Sequence, residues 1–120
     1  NLKVIDTERK VVSMTGMYAG TLDAIVEIDG KVGVVDFKSS ARVYDEHFLQ
    51  NAAYRLALAE QGIKTQAGWI ILLPKIPDEQ PFLVVDVPPM QELVVPWLSA
   101  VALYKWIYER RLLKEAASGK

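Results

Sequence analysis

Apolar and polar positions along the chain change period several times, and each change marks an element. Leu22, Ala24, Val26 and Ile28 alternate with Asp23, Ile25 and Glu27, a two-residue repeat that predicts a strand from Met17 or Tyr18 to Ile28. The repeat resumes after Asp29-Gly30 and runs to Lys38. Asp-Gly between two β-rich runs is a strong hairpin signal, because a type I′ turn needs positive φ at both central residues. A two-residue loop pairs Ile28 with Lys31 and sets Asp23 across from Asp36. Side chains directly opposed in this way share a face, with Cβ atoms roughly 4.5–5.5 Å apart. Lys38, two residues beyond Asp36, points to that face as well. Ile25, Val32 and Val34 complete it, while Leu22, Ala24, Val26, Ile28, Val35 and Phe37 make up the other, which reads as the core-facing surface. A three-residue loop with a bulge at Gly30 would shift the pairing by one and divide the carboxylates between the faces. The two-residue turn is preferred because it gives both faces a sensible composition.

From Asp45 to Gln61 the period becomes helical. Phe48, Leu49, Ala52, Ala53, Leu56 and Ala57 form the stripe, with Asp45 as candidate N-cap and Gly62 as candidate C′ residue. Residues 9 to 15 read as a strand pairing with the one that ends at Ile28. The run Ala67 to Leu73 suits a central strand buried on both faces. Lys75 to Pro81 reads as a loop, Phe82 to Val87 as a strand, and Met90 to Ala117 as a helix broken or kinked at Pro96. In that helix Trp97, Val101, Tyr104, Ile107 and Tyr108 form a stripe suited to core or subunit contact, and residues 118 to 120 a frayed tail. The predicted fold is α/β, a mixed and mostly antiparallel central sheet flanked by helices.

The hairpin gathers two carboxylates and an ammonium on one otherwise apolar face. Like charges held that close destabilise a sheet unless something neutralises them. A hard divalent cation, Mg²⁺ or Mn²⁺, would do so through carboxylate and water oxygens. Gln50 and Tyr54, four residues apart, stack on one face of the helix that follows, where an amide and a hydroxyl could reach the same site or a phosphate. Taken alone, that pair is an ordinary feature of an amphipathic helix.

Gly20-x-x-Asp23, Asp36-x-Lys38 and Gln50-x-x-x-Tyr54, in that order across a hairpin and a helix, resemble the PD-(D/E)XK nucleases. More narrowly they resemble the RecB-type branch, which includes many phage and repair exonucleases. The resemblance covers residues 18 to 60 well and the rest in outline. It implies a restriction-endonuclease-like fold and a Mg²⁺- or Mn²⁺-dependent DNA nuclease, an exonuclease by its likeness to that branch. It further implies that Asp23, Asp36 and the Phe37 carbonyl hold the cation, that Lys38 orients or deprotonates the attacking water, and that Gln50 and Tyr54 position substrate or brace the hairpin. RecB-type nucleases add an acid or a His from a helix upstream of the GxxD. No such helix is evident here: the 120 residues read as a single nuclease-like domain lacking that N-terminal helix, its residue supplied from elsewhere, with Glu8 weighed as a substitute. Glu27 lies near the turn, and His47, the sole histidine, is weighed as an accessory against the commoner role of a capping residue.

Composition narrows the classes. The 120 residues make one domain, 51% hydrophobic and 24% charged. Beginning at Asn1 rather than Met, the sequence reads as a fragment, a processed chain or an excised domain. No apolar run is long enough for a membrane span and no secretory leader is evident. With no cysteine, disulfides and thiolate metal sites are excluded, which fits a cytoplasmic, intracellular protein. A net charge of −1 argues against strong electrostatic DNA binding, so weak DNA affinity, or dependence on a partner domain or a homo-oligomer, is expected. A catalytically inactive nucleic-acid-binding or scaffolding domain, or a plain structural domain with solvated carboxylates, are the alternatives.

Overall fold

The computed structural model describes residues 1–74 and 82–118. Five strands and two helices follow in order: β1 (Leu2–Ser13), β2 (Tyr18–Ile28), β3 (Lys31–Lys38), α1 (Asp45–Glu60), β4 (Ala67–Leu72), β5 (Leu83–Asp86) and α2 (Met90–Ser118). The strands form one sheet in chain order, β1-β2-β3-β4-β5. All neighbours are antiparallel except β3 and β4. That parallel step requires a crossover, which α1 provides. The expected mixed, mostly antiparallel α/β sheet is the architecture found.

The hairpin forms in the expected register. Ile28 pairs with Lys31, and the ladder runs outward to Ala24 opposite Val35. Asp29 and Gly30 take positive φ of 49° and 84°, as a type I′ turn demands. The alternation of β2, however, slips at Leu22-Asp23. Leu22 packs in one core cluster with Ile25, Val34, Ala57 and Leu58, whereas strict alternation would send it to the other side. Glu8 of β1, standing between the Thr7–Ala24 and Arg9–Leu22 pairs, takes φ of 49° beside the slip. As a result Tyr18, Gly20 and Leu22 face α1, and so do Asp23 and Ile25.

α1 lies across this face, and burial of Leu22, Ile25, Leu58 and Ile70 anchors it. Each such side chain contributes about 1.5–3 kcal/mol. Tyr44, not Asp45, is the N-cap, with His47 Nδ1 accepting the Tyr44 N–H at 3.1 Å. At the other end Gly62 has φ of 86°, and Ile63 and Gly62 donate to Leu58 and Ala59 carbonyls at 2.9 and 3.0 Å. This closes the helix as a Schellman motif.

Several expectations need correction. β1 begins at Leu2 and ends at Ser13. Its N-terminal half lies exposed on an edge, so no apolar alternation announces it. β4 lies beside the edge strand β5 and is buried on one face only: Gly68, Ile70 and Leu72 point inward, while Trp69 and Ile71 are half-buried. β5 is shorter than expected and largely exposed. The helices do not flank the sheet. Among the described residues both lie to one side, and Ala24, Val26 and Val35 on the other face are covered only by Ile28, Trp69 and Ile71. α2 runs as one helix through Pro96 and includes Ser118, expected in the tail. Leu93 packs on Ile70 and Val87, and Trp97 meets Tyr18 edge-on at 5.1 Å. Beyond that point α2 leaves the body: Tyr104, Ile107 and Tyr108 are exposed, so the stripe is not core. Its projection accounts for a radius of gyration of 17.0 Å, where a compact chain of this length would have roughly 13–14 Å. The loop expected at 75 to 81 and the last two residues lie outside the described residues.

Candidate active site

Four of the five candidate catalytic side chains come from β3 and α1, and the fifth comes from β2 just past its slip. Asp36, the last buried residue of β3, is 1% exposed and lies beneath α1. Asp23 stands across from it, one position beyond the last paired residues of the hairpin. There its Oδ2 accepts the Phe37 N–H at 2.8 Å. The side chain thus takes over a backbone donor that the ladder leaves free, and the carboxylate is fixed at the end of β3.

Burial pushes the Asp36 carboxyl up from 3.8 to about 6. A hydrogen bond from Asn51 and the charge of Lys38 pull it down, and the charge of Asp23 pushes it further up. Lys38 Nζ donates to Gln50 Oε1, and Gln50 Nε2 donates to the Tyr54 hydroxyl at 3.1 Å. Tyr54 is held above the ordinary phenol range, first by burial and then by the charges of Asp36 and Asp23. Its ring rests over Gly20, where a Cβ would stand 3.0 Å from Cε1. Asp23, Asp36, Lys38, Gln50 and Tyr54 therefore form one contiguous polar cluster at the end of an apolar face.

Sequence reasoning did not single out Asn51. It is wholly buried, and its Nδ2 donates to Asp36 Oδ2 at 2.8 Å and to the Val34 carbonyl at 3.1 Å. The signal was present: an amide inside the run Phe48, Leu49, Ala52, Ala53 breaks an otherwise apolar stripe. Phe37 lies exposed, with its N–H rather than its carbonyl engaged by the site. His47 acts as a helix cap. Burial and nearby Lys38 hold its imidazole below the ordinary range, with Glu46 opposing. Glu8 sits exposed in β1 at the position facing Asp23, and Glu27 pairs with Val32 near the turn. Neither joins the two aspartates: among the described residues no group of three or more His, Cys, Asp or Glu is placed to hold a metal.

The donor set nevertheless suits a hard cation. Both aspartates spend Oδ2 on a hydrogen bond, and among the described residues neither Oδ1 has a donor. Two carboxylate oxygens with water completing the shell is a common Mg²⁺ arrangement.

No protein-family model and no curated protein matches the chain. Among solved structures, "Crystal structure of SSO0001" overlays with a TM-score of 0.47 and 17% identity, over 86% of this chain and 48% of that one. The chain thus spans about half the length of this neighbour, and at that level of likeness the neighbour says nothing of activity. No helix among the described residues is long and apolar enough to cross a membrane.

Proposed function

We propose that the chain is a restriction-endonuclease-like domain of the PD-(D/E)XK, RecB-type class that hydrolyses DNA phosphodiesters with Mg²⁺ or Mn²⁺. The observation that carries this reading is the buried Asp36 beside Asp23, with Lys38 two residues on and tied to Gln50 and Tyr54. Asp23 and Asp36, with the Phe37 carbonyl, would hold the ion. When bound, it supplies Lewis acidity toward the phosphate and lowers the pKa of the water that attacks it. Lys38, held as the ammonium, orients that water and balances charge developing on the phosphate. Gln50 fixes the Lys38 ammonium, and Tyr54 fixes Gln50, so that the ammonium has one position rather than many.

A net charge of −1 calls for help in holding DNA, from a partner domain or from further copies of the chain. The lack of a third acid or histidine beside the aspartates, among the described residues, favours a second reading: a nucleic-acid-binding or scaffolding domain without turnover. Digestion of labelled linear, circular, single- and double-stranded DNA with and without Mn²⁺ separates the two. Metal-dependent cleavage that disappears in Lys38→Ala supports the nuclease; cleavage that persists in that variant removes Lys38 from the mechanism. Intact substrates under every condition favour the second reading.

A further inference from the structure

We infer that Asn51 is a positioning residue for Asp36, and that Gly68 is glycine to make room for it. One nitrogen of Asn51 serves two acceptors, the Val34 carbonyl and Asp36 Oδ2. The first is backbone in the middle of the sheet, so the amide is pinned to β3 before it reaches the carboxylate. The second then fixes the rotation of the Asp36 carboxyl, committing Oδ2 inward and leaving Oδ1 for whatever lies beside Asp23.

The other end of the amide shows what this arrangement costs. Asn51 Oδ1 is buried with no hydrogen-bond donor among the described residues. An amide oxygen stripped of water and left unpaired destabilises the fold. A leucine, similar in size and apolar, would bury no such unpaired atom. Asparagine is therefore explained by its nitrogen, not by packing. Gly68 agrees independently: a Cβ there would overlap Asn51 Oδ1 and lie 3.0 Å from its Cγ. β4 thus gives up a side chain at the one point where it passes the amide.

The inference rests on the cation-holding reading only for its consequence, not for the contact itself, and the test keeps the two apart. Asn51→Leu removes the donor, and Gly68→Ala keeps the donor but crowds it out of place. Mn²⁺ affinity of each folded variant is read by electron paramagnetic resonance, with far-UV circular dichroism confirming the fold. Partners that orient a metal's ligands typically change affinity about 10–100-fold. A loss of that order in both variants is expected, and affinity equal to that of the unaltered chain in either would overturn the role. Should the unaltered chain bind no Mn²⁺, the cation reading fails, and the contact is judged in metal-free protein by a double-mutant cycle of Asn51→Leu with Asp36→Ala. Unfolding constants that depart from the product of the single effects uphold the positioning contact. Simple multiplication of the two effects overturns it.

Discussion

Gly20 and Asp23 face the same side of β2 although three residues separate them. An even-handed strand would set them on opposite faces. The slip at Leu22-Asp23 turns both toward α1, so that Tyr54 lies over Gly20 while Asp23 reaches the end of β3. A glycine and an aspartate at this spacing thus have separate physical reasons. The first admits a ring, and the second places a carboxylate beside Asp36.

Enlarging residue 20 should therefore disturb the site through Tyr54. Gly20→Val puts a branched side chain where even a Cβ would be 3.0 Å from the Tyr54 ring. Overpacking of this kind costs about 1–3 kcal/mol. Urea unfolding should show that loss, and Gly20→Val combined with Tyr54→Ala should recover part of it. A cost unchanged by the second substitution would place the clash elsewhere.

Asp36 should make the protein less stable as the pH rises through mild acid. Its carboxyl is raised from 3.8 to about 6 by burial, so between those values the folded state keeps a proton that the unfolded chain has lost. Stability is then highest below about pH 4 on this account and falls until about pH 6 is passed. At about 1.4 kcal/mol for each pH unit, the full effect is of the order of 3 kcal/mol. Asp36→Asn should flatten this part of the profile and raise stability at pH 7.5. Mn²⁺, competing with the same proton, should bind more tightly as the pH rises through 6.

The hairpin and α1 were legible because local chemistry decides them. Asp29-Gly30 permits few turns other than the one that forms, and that turn dictates which residue meets Asp23. The slip in β2 was not legible, since it reverses a polar and apolar alternation that looks regular in the sequence. Asn51 carries no motif of its own beside Gln50 and Tyr54, and its partner Gly68 has meaning only once β4 passes the helix. The outer half of α2 has the periodicity of a packed helix, but periodicity names the face to be buried and not what buries it. Tyr104 and Tyr108 remain exposed for that reason.

The turn between β1 and β2 should weaken in acid, the reverse of Asp36. Glu60, at the end of α1, accepts from the Ser13 hydroxyl and from the Met14 and Thr15 N–H groups, the latter at 2.9 and 3.2 Å. These bonds, led by Ser13, hold its carboxyl below the ordinary range. A depressed folded value means that the contribution is complete above the unfolded value and disappears as the pH falls through the folded one. Amide hydrogen exchange at Met14 and Thr15 should accelerate selectively in that range. Glu60→Gln should exchange faster at neutral pH and lose the acid dependence.

On the nuclease reading proposed above, the Lys38–Gln50–Tyr54 relay should be worth little to the fold and much to the reaction. All three side chains are only half-buried, so Lys38→Met and Tyr54→Phe should each change unfolding free energy by no more than about 1 kcal/mol. Their kinetic effects should differ. Lys38→Met removes the ammonium and should eliminate metal-dependent DNA cleavage outright. Tyr54→Phe leaves the ammonium in place but frees Gln50 to turn, which should lower kcat about 10-fold or more while KM moves little. Gln50→Leu, which cuts the relay in the middle, should fall between them, and combining it with Tyr54→Phe should add nothing further. Steady-state rates on a labelled duplex give all four values. If Tyr54→Phe and Gln50→Leu multiply their losses, the tyrosine acts on the substrate directly and not through the amide.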